Sequence, residues 1–252
     1  RWSHSSDPRV TRLPGPVAAV FGNAASLTIE VVRTPAVEAE LLRARLLERG
    51  DNLAALVGPE RFERVKEVGA RYGLAEVQLQ QFKPWALMTL FSVPPSELLG
   101  RRDGAALPLD WMLQRGAEQR GIPVYGLESA AEQISLFDEI GSEAQIALLD
   151  EAITENPRVD WWWQSFRDAY LARDVSAIFN LMTGQMAADD GELGRRFMRR
   201  AVDERNLRMV ERMASRLAEG DAFIAVGSLH LPGEHGLLNL LAQRGYRVTR
   251  VY

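Results

Sequence analysis

Chemistry that needs an imidazole must come from one of three residues in this sequence, His4, His230 or His235. Cysteine is absent, which removes disulfides, thiolate zinc sites and cysteine nucleophiles together. Two carboxylates stand out by position. Glu30 lies late in an apolar, β-branched run at 27–32, and Glu128 directly follows a second such run at 122–127. His230 follows a third run, 222–226, after Gly227-Ser228-Leu229. In open α/β sheets, ligands bind beyond the carboxyl ends of the strands. If the three runs are parallel strands, Glu30, Glu128 and His230 converge on one edge. Two carboxylates and an imidazole there suit either a divalent metal or acid–base catalysis. A carboxylate at a strand end also serves simply as a helix cap or an arginine's partner, so the convergence carries more weight than any one residue.

A second polar cluster is written into the helical stretch 194–218. Its apolar stripe runs through Met198, Val202, Met209, Val210, Met213 and Leu217. At about 100° per residue Asn206 falls inside that stripe and Arg205 at its edge. Inward-facing polar groups need partners, because leaving them unpaired costs several kcal/mol. Arg205 is therefore expected within charge-pairing reach of Glu30 or Glu128, as a structural ion pair or as a carboxylate- or oxyanion-binding group. The run Trp161-Trp162-Trp163 reads as part core and part surface, with ligand stacking as the functional alternative.

The elements that must position these residues follow from the pattern. The order is strand, helices, strand, helices, strand, helix, strand, with the last strand at 246–251. Strands separated by helices imply crossovers and a largely parallel sheet. The expected fold class is α/β: a largely parallel central sheet, helices on both faces, and a helical insertion or subdomain around 36–105, all within one domain spanning 1–252. The long helix 194–218 is expected to be continuous. The 252 residues, 46% hydrophobic and 25% charged, suffice for a substantial core. A net charge of −4 without blocks of like charge gives no argument for nucleic-acid binding. No apolar run approaches the ~20 residues a membrane span needs, and no stretch reads as a signal peptide. There is no His-Glu-x-x-His, no Gly-x-Ser-x-Gly and no phosphate-binding glycine-rich loop.

Several segments in order resemble the TraB/GumN/Tiki family. The fullest is the C-terminal one, from Ala225 through Gly227-Ser228-Leu229-His230-Leu231-Pro232-Gly233-Glu234 to Leu238, then Leu241, Gly245-Tyr246 and Val248. It is similar to the family's second Gly-x-x-His motif with its following turn, helix and last strand. Glu204-Arg205-Asn206 with Met209 resembles the family's arginine–asparagine helix. Lys83-Pro84-Trp85, Leu109-Asp110 and Gly126-Leu127-Glu128-Ser129 with Glu132-Gln133 look like its middle segments. His4 to Val10, Leu13-Pro14 and Glu30 look like its start. The family's first motif is also Gly-x-x-His; here it is Arg1-Trp2-Ser3-His4, with arginine in the glycine's place.

The resemblance implies two histidine motifs facing each other at the sheet edge. It also implies a metal-dependent hydrolase, most simply a peptidase, acting on a peptide or small-molecule substrate in a periplasmic or secreted setting. On that basis His4, His230 and Glu30 are the expected metal ligands, for manganese, cobalt or zinc. The expected catalytic set is Glu30, Glu128, Arg205 and Asn206. Glu30 or Glu128 would act as general base, Arg205 would stabilise an oxyanion, and Asn206 would orient a ligand or the substrate backbone. The alternative from another class is a non-catalytic module binding a peptide or haem, since haem iron also accepts histidine ligands. A third expectation is a metal-free hydrolase with His230 as base and Glu30 as its orienting partner. Fold alone does not choose among them.

Overall fold

The computed structural model describes residues 5, 7–102, 107–186 and 192–251. The chain divides into two compact units. One comprises Arg1–Arg33, Asp103–Ser129 and Phe166–Tyr252, and the other Thr34–Arg102 with Ala130–Ser165.

The first unit is built on a parallel three-stranded sheet in the order β2-β1-β3, with β1 at Ser26–Ile29, β2 at Val124–Gly126 and β3 at Ala222–Ala225. Leu27 pairs with Val124 on one side and Phe223 on the other, and Ile29 pairs with Gly126 and Ala225. The central strand is buried throughout, its Leu27 and Ile29 on one face and the small polar Ser26 and Thr28 on the other. Alternation along β3 separates two cores. Phe223 and Ala225 pack with Leu27, Ile29, Leu113 and Ala117, where Leu113 and Ala117 belong to the helix Leu109–Gln119. Ile224 and Val226 pack with Met209, Val210, Leu237 and Leu240, from the helices Glu204–Arg212 and Leu237–Gln243. Helices thus cover both faces, as expected of an α/β fold.

Two expectations are corrected. Residues 246–251 carry no strand ladder and are exposed through Val251. Alternation of Tyr246 and Val248 with arginines signals strand propensity, but propensity without a paired neighbour does not make a strand. The stretch 194–218 is not one continuous helix either. It runs as Glu192–Met198, a π-helical turn Arg199–Asp203, Glu204–Arg212 and Ala214–Glu219. The π turn shifts the helical phase immediately before Arg205, and such turns concentrate at functional sites.

The second unit is helical, with a core around Leu53, Val65, Leu79, Leu87, Phe91 and Leu149. Asn156, 1% exposed, donates through Nδ2 to the Tyr72 hydroxyl and the Phe91 carbonyl, both at 2.8 Å. In Lys83-Pro84-Trp85 the proline opens the helix Pro84–Phe91, and its two neighbours clamp one carboxylate. Lys83 Nζ lies 2.9 Å from Asp138 Oδ2, and Trp85 Nε1 donates to Asp138 Oδ1 at 2.7 Å. Of the tryptophan run, Trp163 is buried, whereas Trp161 is exposed under the Arg158 guanidinium.

Candidate functional site

The three strands end beside one another, and each is followed by a polar residue. Glu30 sits one residue past β1. Its backbone carbonyl accepts from the Glu128 amide at 2.8 Å, so the β1–β2 pairing carries on just far enough to set the two carboxylates side by side. Past β3 the chain turns through a single 3-10 turn, Ser228–His230, closed by the His230 amide on the Gly227 carbonyl at 2.9 Å.

Arg205 ties the carboxylates together. Its Nη2 lies 2.7 Å from Glu30 Oε2 and 2.6 Å from Glu128 Oε2, and its Nε donates to Glu128 Oε1 at 2.9 Å. The expected partners, Glu30 and Glu128, are thus both engaged. Its Nη1 donates to the Ala201 carbonyl in the π turn at 3.0 Å. Burial opposes the Arg205 charge, but the hydrogen bonds and charges of Glu128 and Glu30 raise its pKa further above the usual arginine range. The Glu128 side chain is fully enclosed, and Arg208 Nη2 stands 3.9 Å from its Oε1.

Glu30 has a second anchor. The Gly227 amide donates to its Oε1 at 2.8 Å. Burial pushes the Glu30 carboxyl up, but the charge of His230 when protonated, the Arg205 guanidinium and the Gly227 amide outweigh it. Glu30 is held well below the usual carboxylate range and is ionised at neutral pH. The glycine is required here for space, since its φ of −55° is open to any residue. A Cβ at Gly227 would stand 3.1 Å from Glu30 Oε1 and 3.6 Å from His230 Cδ2. Both side chains therefore border the same bare Cα, and the tight approach is that of Glu30. Gly236 is constrained more severely, because a Cβ there would lie 2.2 Å from the Pro232 carbonyl oxygen.

The state of His230 follows from Asn206. Asn206 is fully buried, and its Nδ2 donates to the carbonyls of His230 at 3.2 Å and His235 at 2.8 Å. Those two acceptors fix the amide orientation, so Oδ1 is the atom facing His230 Nδ1, at 2.6 Å. An amide oxygen can only accept; Nδ1 therefore carries the proton, and Nε2 of the neutral ring keeps its lone pair. His230 is 4% exposed. Burial pulls its pKa down to about 4 against the lifting effect of Glu30, with Arg205 adding to the depression, so the neutral ring prevails at pH 7. Asn206, expected to orient a ligand or substrate backbone, here holds the imidazole and its loop. Expected ligand His4 lies outside the described residues.

A small open cleft adjoins Glu30. Leu109 and Leu113 form part of its wall, and Asp110, Tyr170, Gly227 and Ser228 contribute polar groups. Ser228 and Tyr170 carried no distinguishing signal in the sequence, and Asp110 stood out only in the Leu109-Asp110 pair.

Comparison with known proteins places the chain carrying this set in a family. Residues 3–250 match the model of the TraB/PrgY/gumN family. The chain belongs to the TraB/PrgY/gumN family. Among curated proteins it is similar to uncharacterized protein YbaP of Escherichia coli (strain K12), 24% identical over 189 residues, 73% of this chain. The same identity and coverage hold for uncharacterized protein YbaP of Shigella flexneri. The chain spans 66% of the length of these relatives. No solved structure gives a significant match. Among the described residues of this family member no helix is long and apolar enough to cross a membrane, and no three His, Cys, Asp or Glu residues gather as a metal cluster.

Proposed function

We propose that this TraB/PrgY/gumN family chain is a metal-dependent hydrolase, a peptidase, whose divalent ion (manganese, cobalt or zinc) is held by His230 Nε2 and Glu30, with His4 as the third donor. The observation that carries this reading is the Asn206 clamp. It engages Nδ1, leaves a neutral imidazole with its Nε2 lone pair, and sets that ring beside an ionised carboxylate. Histidine ligands in metal sites have this form: the remote nitrogen donates to an oxygen that fixes tautomer and ring orientation. The two described donors fit a divalent ion by their chemistry, one imidazole nitrogen and one carboxylate.

A bound divalent ion would supply Lewis acidity and a hydroxide-like water at neutral pH. The chain's own residues do the rest. Arg205 keeps Glu30 ionised and aimed, and the Gly227 amide fixes its other oxygen. With four of its five N–H groups engaged by Glu128, Glu30 and the Ala201 carbonyl, Arg205 acts chiefly as a positioning residue. Glu128, enclosed and doubly bonded to Arg205, balances that charge and does not reach a substrate.

The test is calorimetric titration of manganese, cobalt and zinc into the wild-type chain and His230→Ala, with cleavage of a peptide mixture followed in parallel. Losing a ligand should weaken binding beyond the ~10–100-fold typical of outer-shell losses and abolish cleavage, with the fold retained. Wild type binding none of the three ions, or the variant binding equally well, would end the metallohydrolase reading. A Soret band on the purified protein would favour haem binding instead.

A further inference from the structure

In the cleft beside Glu30 the polar groups are engaged and the apolar surface is not. Glu30 is bonded to Arg205 and to the Gly227 amide. Asp110 and Tyr170 have interactions of their own, and the Ser228 Oγ is shut away from solvent. The rest of the lining is aliphatic: Val10, Leu109, Leu113, Ala225 and Val226. Val10 and Leu113 are buried, but Leu109, Ala225 and Val226 are only half-covered. Three elements set these walls. Leu109 and Leu113 lie one turn apart on one face of the helix Leu109–Gln119, Ala225 ends β3, and Val10 belongs to the short helix Pro8–Thr11. Apolar surface left wet in a recess is stabilised when a ligand covers it. The recess is small. Its volume is about 50 Å³, and one water needs about 10–15 Å³ on the same scale, so about three to five heavy atoms fill it. An isopropyl or isobutyl group has that size; a benzyl group does not.

We propose that this recess is a specificity pocket, taking the side chain of valine, leucine or isoleucine from one of the two residues that flank the scissile bond. Gly227 lines the recess and also borders Glu30 and the His230 ring. A side chain held there keeps its own peptide group beside the proposed metal ligands. Leu109, half-covered on the wall, sets the size limit and is the specificity-determining residue. This deepens the peptidase reading and rests on it for the pocket's meaning, while side-chain binding is measured separately from cleavage.

Four probes isolate the side chain: the N-acetyl amides of glycine, valine, leucine and phenylalanine have the same neutral ends and differ only beyond Cα. They are titrated into the full chain and followed by amide NMR shifts. The valine and leucine probes are expected to bind about tenfold more tightly than the glycine probe, and the phenylalanine probe no more tightly than glycine. The largest shifts should fall at residues 109–113 and 225–227. Leu109→Ala should raise the affinity of the phenylalanine probe about tenfold by opening the wall. Equal binding of all four, binding of none, tightest binding of phenylalanine to wild type, shifts confined to other residues, or an unchanged order in a folded variant would overturn the pocket. The wild-type series decides the matter even if the variant fails to fold. Cleavage of a peptide mixture by the manganese-loaded chain is read independently. Cut bonds should carry valine, leucine or isoleucine at one flanking position. Cuts without that preference overturn the pocket and leave the peptidase; aliphatic-selective binding without any cleavage upholds the pocket and removes the peptidase.

Discussion

Asn206 and Arg205 each fix the chemical state of a neighbour, and both effects can be measured. An unfolded histidine takes its proton near pH 6.5, whereas His230 in the fold takes it only near 4. Between those values the unfolded state binds more protons. Stability therefore rises with pH across that window and is lost as pH falls from about 6.5 toward 4, by about 3 kcal/mol over the full span. Glu30, with its pKa depressed, contributes stability above the ordinary carboxylate range and loses it as pH falls below that range. Urea midpoints at pH 7, 5.5 and 4.5 should drop less for His230→Gln than for wild type, and parallel curves would refute the assignment. Arg205→Met should be far more harmful than a surface change. It removes the guanidinium bonded to both oxygens of Glu128, whose side chain is fully enclosed, at a cost of about 3–5 kcal/mol in urea denaturation. A loss below about 1 kcal/mol would mean the ion pair contributes nothing beyond a surface bridge.

Elements place these residues through their ends. Each of the three strands delivers its polar residue within one to five positions of its last paired residue, and a parallel sheet puts all three exits on one side. The turn after β3 adds the close approach at Gly227. Glu30 is already pinned by Arg205 and by the Gly227 amide, so it cannot retreat from a new methyl group. Gly227→Ala is therefore expected to cost about 1–3 kcal/mol of stability through overpacking. It should also weaken manganese binding by about tenfold or more, as outer-shell disturbances do. Unchanged midpoint and affinity would show that the site has slack that the geometry denies. The π turn Arg199–Asp203 is the helical counterpart of that glycine. Its Ala201 carbonyl receives the Arg205 Nη1 while Asn206, the next residue, reaches the 230–235 loop from the same helix.

On the scale of the whole molecule, the site and the largest apolar cluster lie in different units. All the described site residues fall in the first unit, while the second carries the largest apolar cluster and four of the six tryptophans, Trp85 and Trp161 to Trp163. Tryptophan emission is thus chiefly a report on the second unit. Leu149, fully buried in that cluster, should cost about 2–5 kcal/mol when changed to alanine, read as a lowered urea midpoint in tryptophan emission. A midpoint equal to wild type would mean that the cluster contributes little to that unit's stability.

The sequence by itself determined which residues could act and where the sheet would place them. Apolar runs at 27–32, 122–127 and 222–226 marked three strands, of which the central one is buried, helices between them forced parallel pairing, and the apolar stripe around Arg205 and Asn206 forced both inward. Tertiary structure decided what those patterns leave open. Residues 246–251 have the alternation of a strand, yet pairing depends on a neighbour that no local pattern supplies. The break in the helix before Arg205 depends on a phase shift invisible in an apolar stripe. Asn206 was legible as buried, but its grip on His230 rests on two loop carbonyls 24 and 29 residues away. The orphan hydroxyl of Ser228 is likewise a property of surroundings, because an unpaired donor is defined by what stands around it and not by its own type.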